Sequence, residues 1–594
     1  MPIPKLIVLG VDGMDPAFVE RHWSALPNLA KLRDDGVFSR LATTTPPQSP
    51  VAWSTFITGL PPSEHGIYDF VHRDPVTLQP FSSLSRTEEP RFTLSLGAYI
   101  LPLSRSRVTS LRRGTPFWQV LSEHGIPVSV VRMPANYPPT QAGQALAGMG
   151  VPDLGGTLGT FSFYTDDPEE YSRSVAGGRI QKVQLADGRA VLPIEGPPNT
   201  LRKDHRVASV DLTVDVDPEQ PVVRLELEGK LVVLRESEWS DWLAADFPLI
   251  PHLSSVRGIF RVYVKQLHPR LAIYVSAINV DPLSPALPVS FPANWSRTVA
   301  LQTGRYYTMG TPEDTSALRQ NVLTLDEFRA QTRIVFDEEH RLLRYSLSHF
   351  DRGLLFFYFS SVDQNSHMLW GRHEAELLDV YRAVDECIGE VRRSAPDAEL
   401  IVMSDHGFTT FDRAVHLNTW LDHRGFLTTK ESPGAQTTLG DSDWMSTEAY
   451  AMGLNGLYLN MKGREQHGTI EPGIRRQALI ANLREQLVAW RDPVNRRQIV
   501  EVVDESSATS QNAAVAPDLI VGYARGYRGS WQTALGGVPE AELENNDDAW
   551  IGDHCINPAD VPGVLFTSRR DRMSQPRIQD VTSLILQRFG VRHP

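Results

Sequence analysis

Cysteine is almost absent from this chain, with only Cys387 and Cys555 among 594 residues. Two cysteines exclude a disulfide framework, leave a single bond between them open, and are typical of a reducing compartment. Long apolar runs are also lacking. The nearest, LSLGAYILPL, contains proline and is shorter than the roughly 18 to 20 residues of a membrane helix. A strand-like KLIVLGVDG follows Met1 too closely for a secretory leader. We therefore expect a soluble, cytoplasmic protein that starts where this sequence starts.

Basic charge is in short supply. Lysine and arginine number 58 against 71 acidic residues, so the net charge is −13. Nucleic-acid polymers bind basic surfaces, and this balance argues against them as partners. An anionic small-molecule substrate must be attracted locally, by metals and a few arginines. The length exceeds one hydrophobic core, which predicts one domain with large insertions or two domains.

Short, continuously apolar runs alternate with helical patterns along much of the chain. This predicts an α/β fold with a doubly wound, mostly parallel sheet and helices on both faces. The predicted strands are Leu6–Val11, Val128–Val131, Leu354–Phe359, Leu400–Met403, Leu519–Val521 and Val564–Phe566, and the predicted helices include Leu325–Ser348, Glu374–Arg393 and Gln579–Phe589.

The segment 152–312 has a different pattern, because its strands alternate apolar and polar residues. RLELEG with KLVVLRE about Gly229, and GIFRVYVKQL with RLAIYVSAI, predict two hairpins. We interpret this segment as a β-rich insertion that covers or borders the active-site mouth. A second insertion or cap, 428–512, includes a helix near Ile474–Trp490. The catalytic core then consists of three parts, 1–151, 313–427 and 513–594.

Metal-ligating residue types follow three of the predicted strands, in VLGVDGMD, SSVDQNSH and VMSDHGF, and recur in the late GDHC. A single Asp at such a place is more often a helix cap or a turn residue. Its recurrence after three separate strands predicts a site at the carboxyl edge of the sheet. Three carboxylates and three imidazoles make two three-ligand sites, each open to a nucleophile or substrate oxygen. These residues are Asp12, Asp363, His367, Asp405, His406 and His554.

A nucleophile is predicted at Ser49, which follows a proline-rich turn and precedes the helical run Val51–Thr58. At a helix N-terminus, the macrodipole and free N–H groups favour an anion. One metal would also lower the pKa of the hydroxyl. The alternative is that Ser49 simply caps the helix, as serines before helices usually do.

Together these motifs resemble the alkaline phosphatase superfamily, and within it the type I phosphodiesterase and nucleotide pyrophosphatase branch. The resemblance covers residues 1 to about 75, 350 to 415 and the tail from about 515, and rests on VDGMD, Ser49 ten residues before Gly59, DxxxH, SDHGF and GDH. It implies that Asp12, Asp405 and His406 bind one zinc, which also contacts Ser49. It also implies that Asp363, His367 and His554 bind the other, and that catalysis proceeds through a phosphoserine intermediate. Manganese or iron would also suit these ligands.

Two positions depart from the branch. Its asparagine three residues after the nucleophile is Ala52 here, and the residue after the nucleophile is Pro50, which has no N–H. Another donor must hold the phosphate oxygen, or the metals hold it alone. The candidate substrate-binding residues are Arg525 and Arg528 in GYARGYRGSW and Asn455 in AMGLNGLYLN. Surface arginines and a turn asparagine are the alternatives.

The sequence thus predicts a metal-dependent phosphoester hydrolase, with phosphodiesters as the preferred substrates. A phosphomonoesterase or phosphonate hydrolase with the same metals is the alternative. A sulfatase is less favoured, because Val51 and Trp53 stand where the formylglycine motif needs a small residue or proline and an arginine. An inactive binding protein on the same fold would show degenerate ligands, and all six are present. Trp53 is interpreted as core packing, and Trp531 and Trp550 as possible stacking groups near the mouth.

Overall fold

The computed structural model describes residues 3–104, 106–171, 177–430, 432–571 and 573–592. The chain divides into two compact units. Unit 1 contains Met1–Arg86, Ser110–Val130 and Phe350–Pro594, and unit 2 contains Thr87–Thr109 and Val131–His349. Among the described residues, no helix is both long enough and apolar enough to cross a bilayer. The predicted five-part division of the chain stays a prediction.

The central sheet of unit 1 is built around Lys5–Val11, which pairs in parallel with Gly353–Phe359 on one side and with Glu399–Met403 on the other. Next to them, Gly563–Thr567 runs antiparallel to Glu399–Met403, and Val37–Leu41 in turn pairs antiparallel with Gly563–Thr567. The fold is therefore mixed α/β. The parallel prediction is confirmed for the three central strands and is wrong for Val564–Phe566, since an unbroken apolar run reports burial on both faces and not strand direction. Helical cover on both faces stays a prediction.

The predicted strand at Leu519–Val521 exists, as Leu519–Tyr523, but it lies outside the central sheet. It pairs antiparallel with Gly456–Leu459 and Val500–Glu505 in a separate four-stranded sheet. Every residue of Leu519–Tyr523 is buried, so this strand is covered on both faces, which explains why its sequence resembles a parallel core strand.

Unit 1 contains most of the helices. The 3-10 turns are Trp23–Ala25, Leu439–Asp441 and Pro558–Asp560, and the α-helices are Pro16–Arg21, Pro27–Asp35, Ser49–Thr58, Pro62–His65, Phe117–Glu123, Ser361–Leu369, Glu374–Ser394, Leu417–His423, Ile474–Ala489, Trp531–Ala534 and Ile578–Arg588. The remaining strands are Val71–Arg73, Pro80–Ser82, Thr409–Val415, Ala449–Ala451, Gly526–Gly529, Leu543–Asn545 and Gly552–Asp553, and the strands Ser85–Glu88, Arg107–Ser110 and Val128–Met133 run across the division between the units.

Unit 2 is rich in antiparallel strands, and both predicted hairpins are confirmed. Val222–Leu227 pairs with Lys230–Arg235 around Gly229, and Val262–Gln266 pairs with Ala272–Val275. Its other strands are Thr93–Leu96, Tyr99–Pro102, Gln144–Ala147, Phe161–Thr165, Gly178–Lys182, Arg189–Pro198, Val207–Val216, Leu243–Ile250, Ser254–Phe260, Asn279–Val280 and Ser290–Phe291, and its helices are Pro168–Tyr171 (3-10), Trp295–Thr303, Thr315–Arg319 and Leu325–Ser348.

Candidate metal centre

The three carboxylates follow the three neighbouring parallel strands of unit 1. Asp12 comes directly after Lys5–Val11, and Asp405 follows Glu399–Met403 with one residue in between. Asp363 is the third residue of the helix that continues from Gly353–Phe359. Because parallel strands end at one edge of their sheet, the chain brings these carboxylates together.

The three imidazoles reach the same edge by different routes. His406 follows Asp405 in sequence, and His367 lies four residues after Asp363 on one helix, so that both side chains occupy one helical face. His554 arrives from the short strand Gly552–Asp553, which pairs with the start of Thr409–Val415. This pairing stacks the His554 ring on that of His406, with centroids 3.5 Å apart and planes 10° apart.

Ser49 is the first residue of the helix Ser49–Thr58, and Gln48 occupies the cap position. The capping interpretation of Ser49 is therefore wrong, because the cap position belongs to the residue before it and no side chain caps the helix. Its Oγ lies 3.0 Å from His406 Nε2 and 3.4 Å from Asp12 Oδ1. The N–H groups of Val51 and Ala52 both donate to the Gln48 carbonyl, so the helix start offers neither of them to an anion.

The donor atoms of the six predicted ligands converge in two overlapping groups of three. One group is Asp363, His367 and His554, and the other is Asp12, Asp363 and His406, with the donor atoms of each group within 4.8 Å of one another. Asp405 adjoins the second group, because its Oδ2 lies 3.2 Å from His406 Nε2. All six side chains are buried. Asp363 is common to both groups.

Each imidazole is held with Nε2 facing the centre. Nδ1 donates to a backbone carbonyl in every case: His367 to Gly552 at 2.8 Å, His554 to Pro47 at 2.7 Å, and His406 to Gly407 at 3.2 Å. A carbonyl oxygen can only accept, so these bonds place the proton on Nδ1 and leave the Nε2 lone pair free. This tautomer is the one that a metal-ligating imidazole requires.

Burial sets the charge of these groups. Desolvation, with the nearby charge of Asp363, raises the pKa of Asp12 to about 7. Desolvation, with the charge of Asp12, also raises the pKa of Asp405 well above its usual range. At Asp363 desolvation is outweighed by the imidazoles, His367 above all, and the pKa is lowered to about 2. Three carboxylates therefore cannot all ionise here without a compensating positive charge.

The donors fit a divalent transition metal. Asp363 Oδ1 and Asp405 Oδ2 are buried and have no hydrogen-bond partner, and an orphaned buried carboxylate oxygen is costly unless a cation occupies the space beside it. Carboxylate oxygens and imidazole nitrogens suit zinc, manganese or ferrous iron. The residues present thus match the chemistry of such an ion.

In metal-free protein, we expect Asp12→Asn to gain thermal stability over the wild type as pH rises. The folded-state pKa of Asp12 is raised from 3.8 to about 7, so the stability that this group contributes is fully present below pH 3.8 and is lost as pH rises towards 7. Asparagine does not titrate. Calorimetry in a chelator should show the Tm difference, variant minus wild type, increasing across this window. A difference that does not change with pH would contradict the assigned shift.

Two residues near the centre have functions that the sequence did not predict. Trp53 Nε1 donates to Asp12 Oδ2 at 2.8 Å, and the Tyr358 hydroxyl donates to the same oxygen at 2.6 Å. Trp53 is therefore a hydrogen-bond donor as well as part of the core. Its position one helical turn after Ser49, and the single hydroxyl within the apolar strand Gly353–Phe359, were the available signals.

The loop that carries His554 is fixed by its neighbour Asp553. Oδ1 accepts from the N–H groups of His554 and Cys555 at 2.7 and 2.9 Å. Oδ2 accepts from Trp550 Nε1 at 2.9 Å and lies 2.7 Å from Arg528 Nε. Trp550 also stacks on the His367 ring, with centroids 3.7 Å apart.

The predicted substrate-binding residues lie in three different settings. Arg528 is buried in its pair with Asp553. Arg525 is exposed and pairs with Asp560 at 2.9 Å, beside a cavity of about 430 Å³. Asn455 is buried, and its Oδ1 accepts from Gln48 at 2.8 Å. Each side chain is thus engaged with protein groups, and substrate contact by any of them stays a prediction.

Asn455 links the nucleophile's helix to the loop that carries His554. Its Nδ2 donates to the carbonyls of Val521 and Cys555, at 2.9 and 3.1 Å. Its Oδ1 accepts from Gln48, whose Nε2 also donates to Asp69 at 2.7 Å. Because Gln48 immediately precedes Ser49, this buried network determines where the helix Ser49–Thr58 begins relative to the imidazole.

Comparison with known proteins gives one family match. The profile of the type I phosphodiesterase/nucleotide pyrophosphatase family matches residues 6–211 and 275–528. No curated protein matches the chain in sequence. Among solved structures, phosphonoacetate hydrolase from Sinorhizobium meliloti 1021 is similar at 12% identity and a TM-score of 0.47, over 99% of this chain and 96% of that one. Murine ectonucleotide pyrophosphatase/phosphodiesterase 5 is similar at 11% identity and a TM-score of 0.41, over the same shares.

Proposed function

Since this chain belongs to the type I phosphodiesterase/nucleotide pyrophosphatase family and is a hydrolase of phosphoesters, we propose that it is a two-metal phosphodiesterase with Ser49 as its nucleophile. The observation that carries this proposal is the convergence of the Ser49 hydroxyl with His406 Nε2 and Asp12 Oδ1 in a buried centre of six metal-ligating side chains.

The proposed ligands form two sets. Asp12, Asp405 and His406, with Ser49, hold one divalent cation, and the second is held by Asp363, His367 and His554. When bound, such cations supply Lewis acidity, which lowers the pKa of a hydroxyl and offsets negative charge on phosphate oxygens. Zinc is the proposed metal, with manganese or iron as alternatives. The position of Asp363 in both donor groups supports two neighbouring ions.

The proposed reaction has two displacements at phosphorus. The Ser49 hydroxyl loses its proton, its Oγ bonds to phosphorus, and the bond from phosphorus to the leaving oxygen breaks. The leaving group takes up a proton and departs as an alcohol. Water then attacks the phosphoserine intermediate, the Oγ–P bond breaks, and Ser49 regains its proton as a phosphomonoester is released. Gln48 and Asn455 keep the nucleophile's helix in place during both steps.

The charge around the centre favours diesters over monoesters. Arg528, on the strand Gly526–Gly529, is buried beside the loop that carries His554, and its charge is already balanced by Asp553 at 2.7 Å. A diester carries one negative charge where a monoester carries two, so a site with few uncompensated cations accepts the diester more readily. Ala52 has no side-chain donor for the additional charge and its N–H already bonds to the Gln48 carbonyl, and Pro50 has no N–H.

We expect the wild-type enzyme to hydrolyse an aryl phosphodiester with a higher kcat/KM than the monoester of the same aryl group. Matched leaving groups hold the chemistry of bond cleavage constant, so that the ratio reports on charge recognition. A phosphonate with the same aryl ester should be tested alongside. If the monoester is the better substrate, the enzyme is a phosphatase, and if the phosphonate is better than both, it is a phosphonate hydrolase.

A further inference from the structure

A two-stranded hairpin in unit 2 exposes an apolar face. Thr93–Leu96 pairs with Tyr99–Pro102, and side chains two residues apart share a face of a strand. Phe92, Leu94 and Leu96 therefore lie in one row, and the first strand is exposed throughout. These three side chains and that of Leu103 retain between 51% and 68% of their solvent exposure. Large apolar side chains grouped in this way mark an interaction surface.

The tip of this hairpin adjoins a basic turn of the same unit. Ile100 N–H donates to the Leu201 carbonyl at 2.8 Å, and Lys203 N–H donates to the Ala98 carbonyl at 3.0 Å. The turn has the sequence LRKDHR over residues 201–206. Its cations are concentrated beside the apolar row, although the chain as a whole carries a net charge of −13.

The charges of the turn are partly balanced. Arg202 pairs with Asp204 at 2.7 Å, whereas Lys203 and Arg206 are exposed to solvent. Arg202 also lies over the Tyr99 ring, 5.7 Å from its centroid, which fixes the turn against the hairpin. The acidic Glu88 and Glu89 precede the base of the hairpin in sequence, at the opposite end from the tip.

We propose that the apolar hairpin, residues 92–103, and the basic turn, residues 201–206, together form a docking surface for an anionic lipid bilayer. Apolar side chains enter the boundary between headgroups and acyl chains, and an aromatic residue such as Tyr99 prefers the same depth. Lysine and arginine beside them attract anionic headgroups.

The test is cosedimentation of the full-length protein with vesicles of phosphatidylcholine alone or mixed with phosphatidylglycerol. We expect binding to the mixed vesicles, weaker binding at high salt, and little binding to phosphatidylcholine alone. Leu94→Ser with Leu96→Ser should lower the partition coefficient of the protein onto the mixed vesicles about tenfold or more, since both leucine side chains are lost from the interface. Lys203→Glu with Arg206→Glu should lower it on the mixed vesicles.

A matched control comes from the same unit. Leu231 and Val233 are 59% and 63% exposed on the strand Lys230–Arg235, so Leu231→Ser with Val233→Ser removes a similar apolar area and should leave binding unchanged. The proposal would be overturned if the wild type does not bind the mixed vesicles. It would also be overturned if Leu231→Ser with Val233→Ser weakens binding as much as Leu94→Ser with Leu96→Ser. Light scattering that reveals a dimer broken by Leu94→Ser with Leu96→Ser, without vesicle binding, would assign the surface to a second copy instead.

Discussion

Replacing Ser49 with alanine is expected to lower turnover of the best diester by roughly a thousandfold or more, with bound metal unchanged. The hydroxyl is the nucleophile in the proposed reaction, and its Oγ contacts His406 and Asp12 at 3.0 and 3.4 Å. The other proposed ligands stay in place in this variant. Steady-state kinetics and metal analysis on the same preparation provide the measurement.

Ser54→Ala is the matched control for this variant. Ser54 lies on the same helix and is fully buried, and its hydroxyl has no hydrogen-bond partner, so its loss should change turnover by a few-fold at most. Comparable activity in Ser49→Ala and Ser54→Ala would show that another nucleophile, such as water, attacks phosphorus directly.

Asp363→Asn is expected to remove more metal than any single histidine replacement. Within the six proposed ligands, Asp363 is common to both groups of donors, whereas His367 and His554 each belong to only one of the two. The change keeps the side chain's shape and removes its charge, so both ions lose a ligand or a neighbouring charge. Metal content by mass spectrometry should fall below that of His367→Ala, and activity should fall with it by roughly a hundredfold or more.

Asp385→Asn controls for the loss of a buried carboxylate elsewhere in unit 1. Asp385 is buried, accepts from the N–H groups of Asn28 and Leu29 at 3.1 and 2.7 Å, and belongs to neither group of proposed ligands. This variant should lose stability but retain its metal. If Asp363→Asn binds as much metal as the wild type, Asp363 is not a ligand.

The positions of the predicted ligands could be inferred from the sequence because the ends of buried strands can be recognised there. Asp12 and Asp405 follow apolar runs that stop abruptly, and parallel neighbours end at one edge. The DxxxH spacing of Asp363 and His367 works because four residues make about one helical turn. Membership in the phosphodiesterase family agrees with the resemblance in these motifs.

Other features depend on contacts that no local pattern encodes. Leu519–Val521 has the composition of a parallel strand, but burial on both faces also arises in an antiparallel sheet. The donors Trp53 and Tyr358 are apolar in most of their atoms, so the sequence predicts only core packing for them. Asn455 and Arg528 look like free donors in the sequence because their partners, Gln48 and Asp553, are specified only by tertiary packing.

The most direct test of the account is the stereochemistry at phosphorus. Hydrolysis of a chiral phosphorothioate diester in water enriched in heavy oxygen distinguishes one displacement from two, since each in-line displacement inverts the configuration. Attack by Ser49 followed by attack of water predicts overall retention. Overall inversion would contradict the phosphoserine intermediate and would show that water attacks the diester directly.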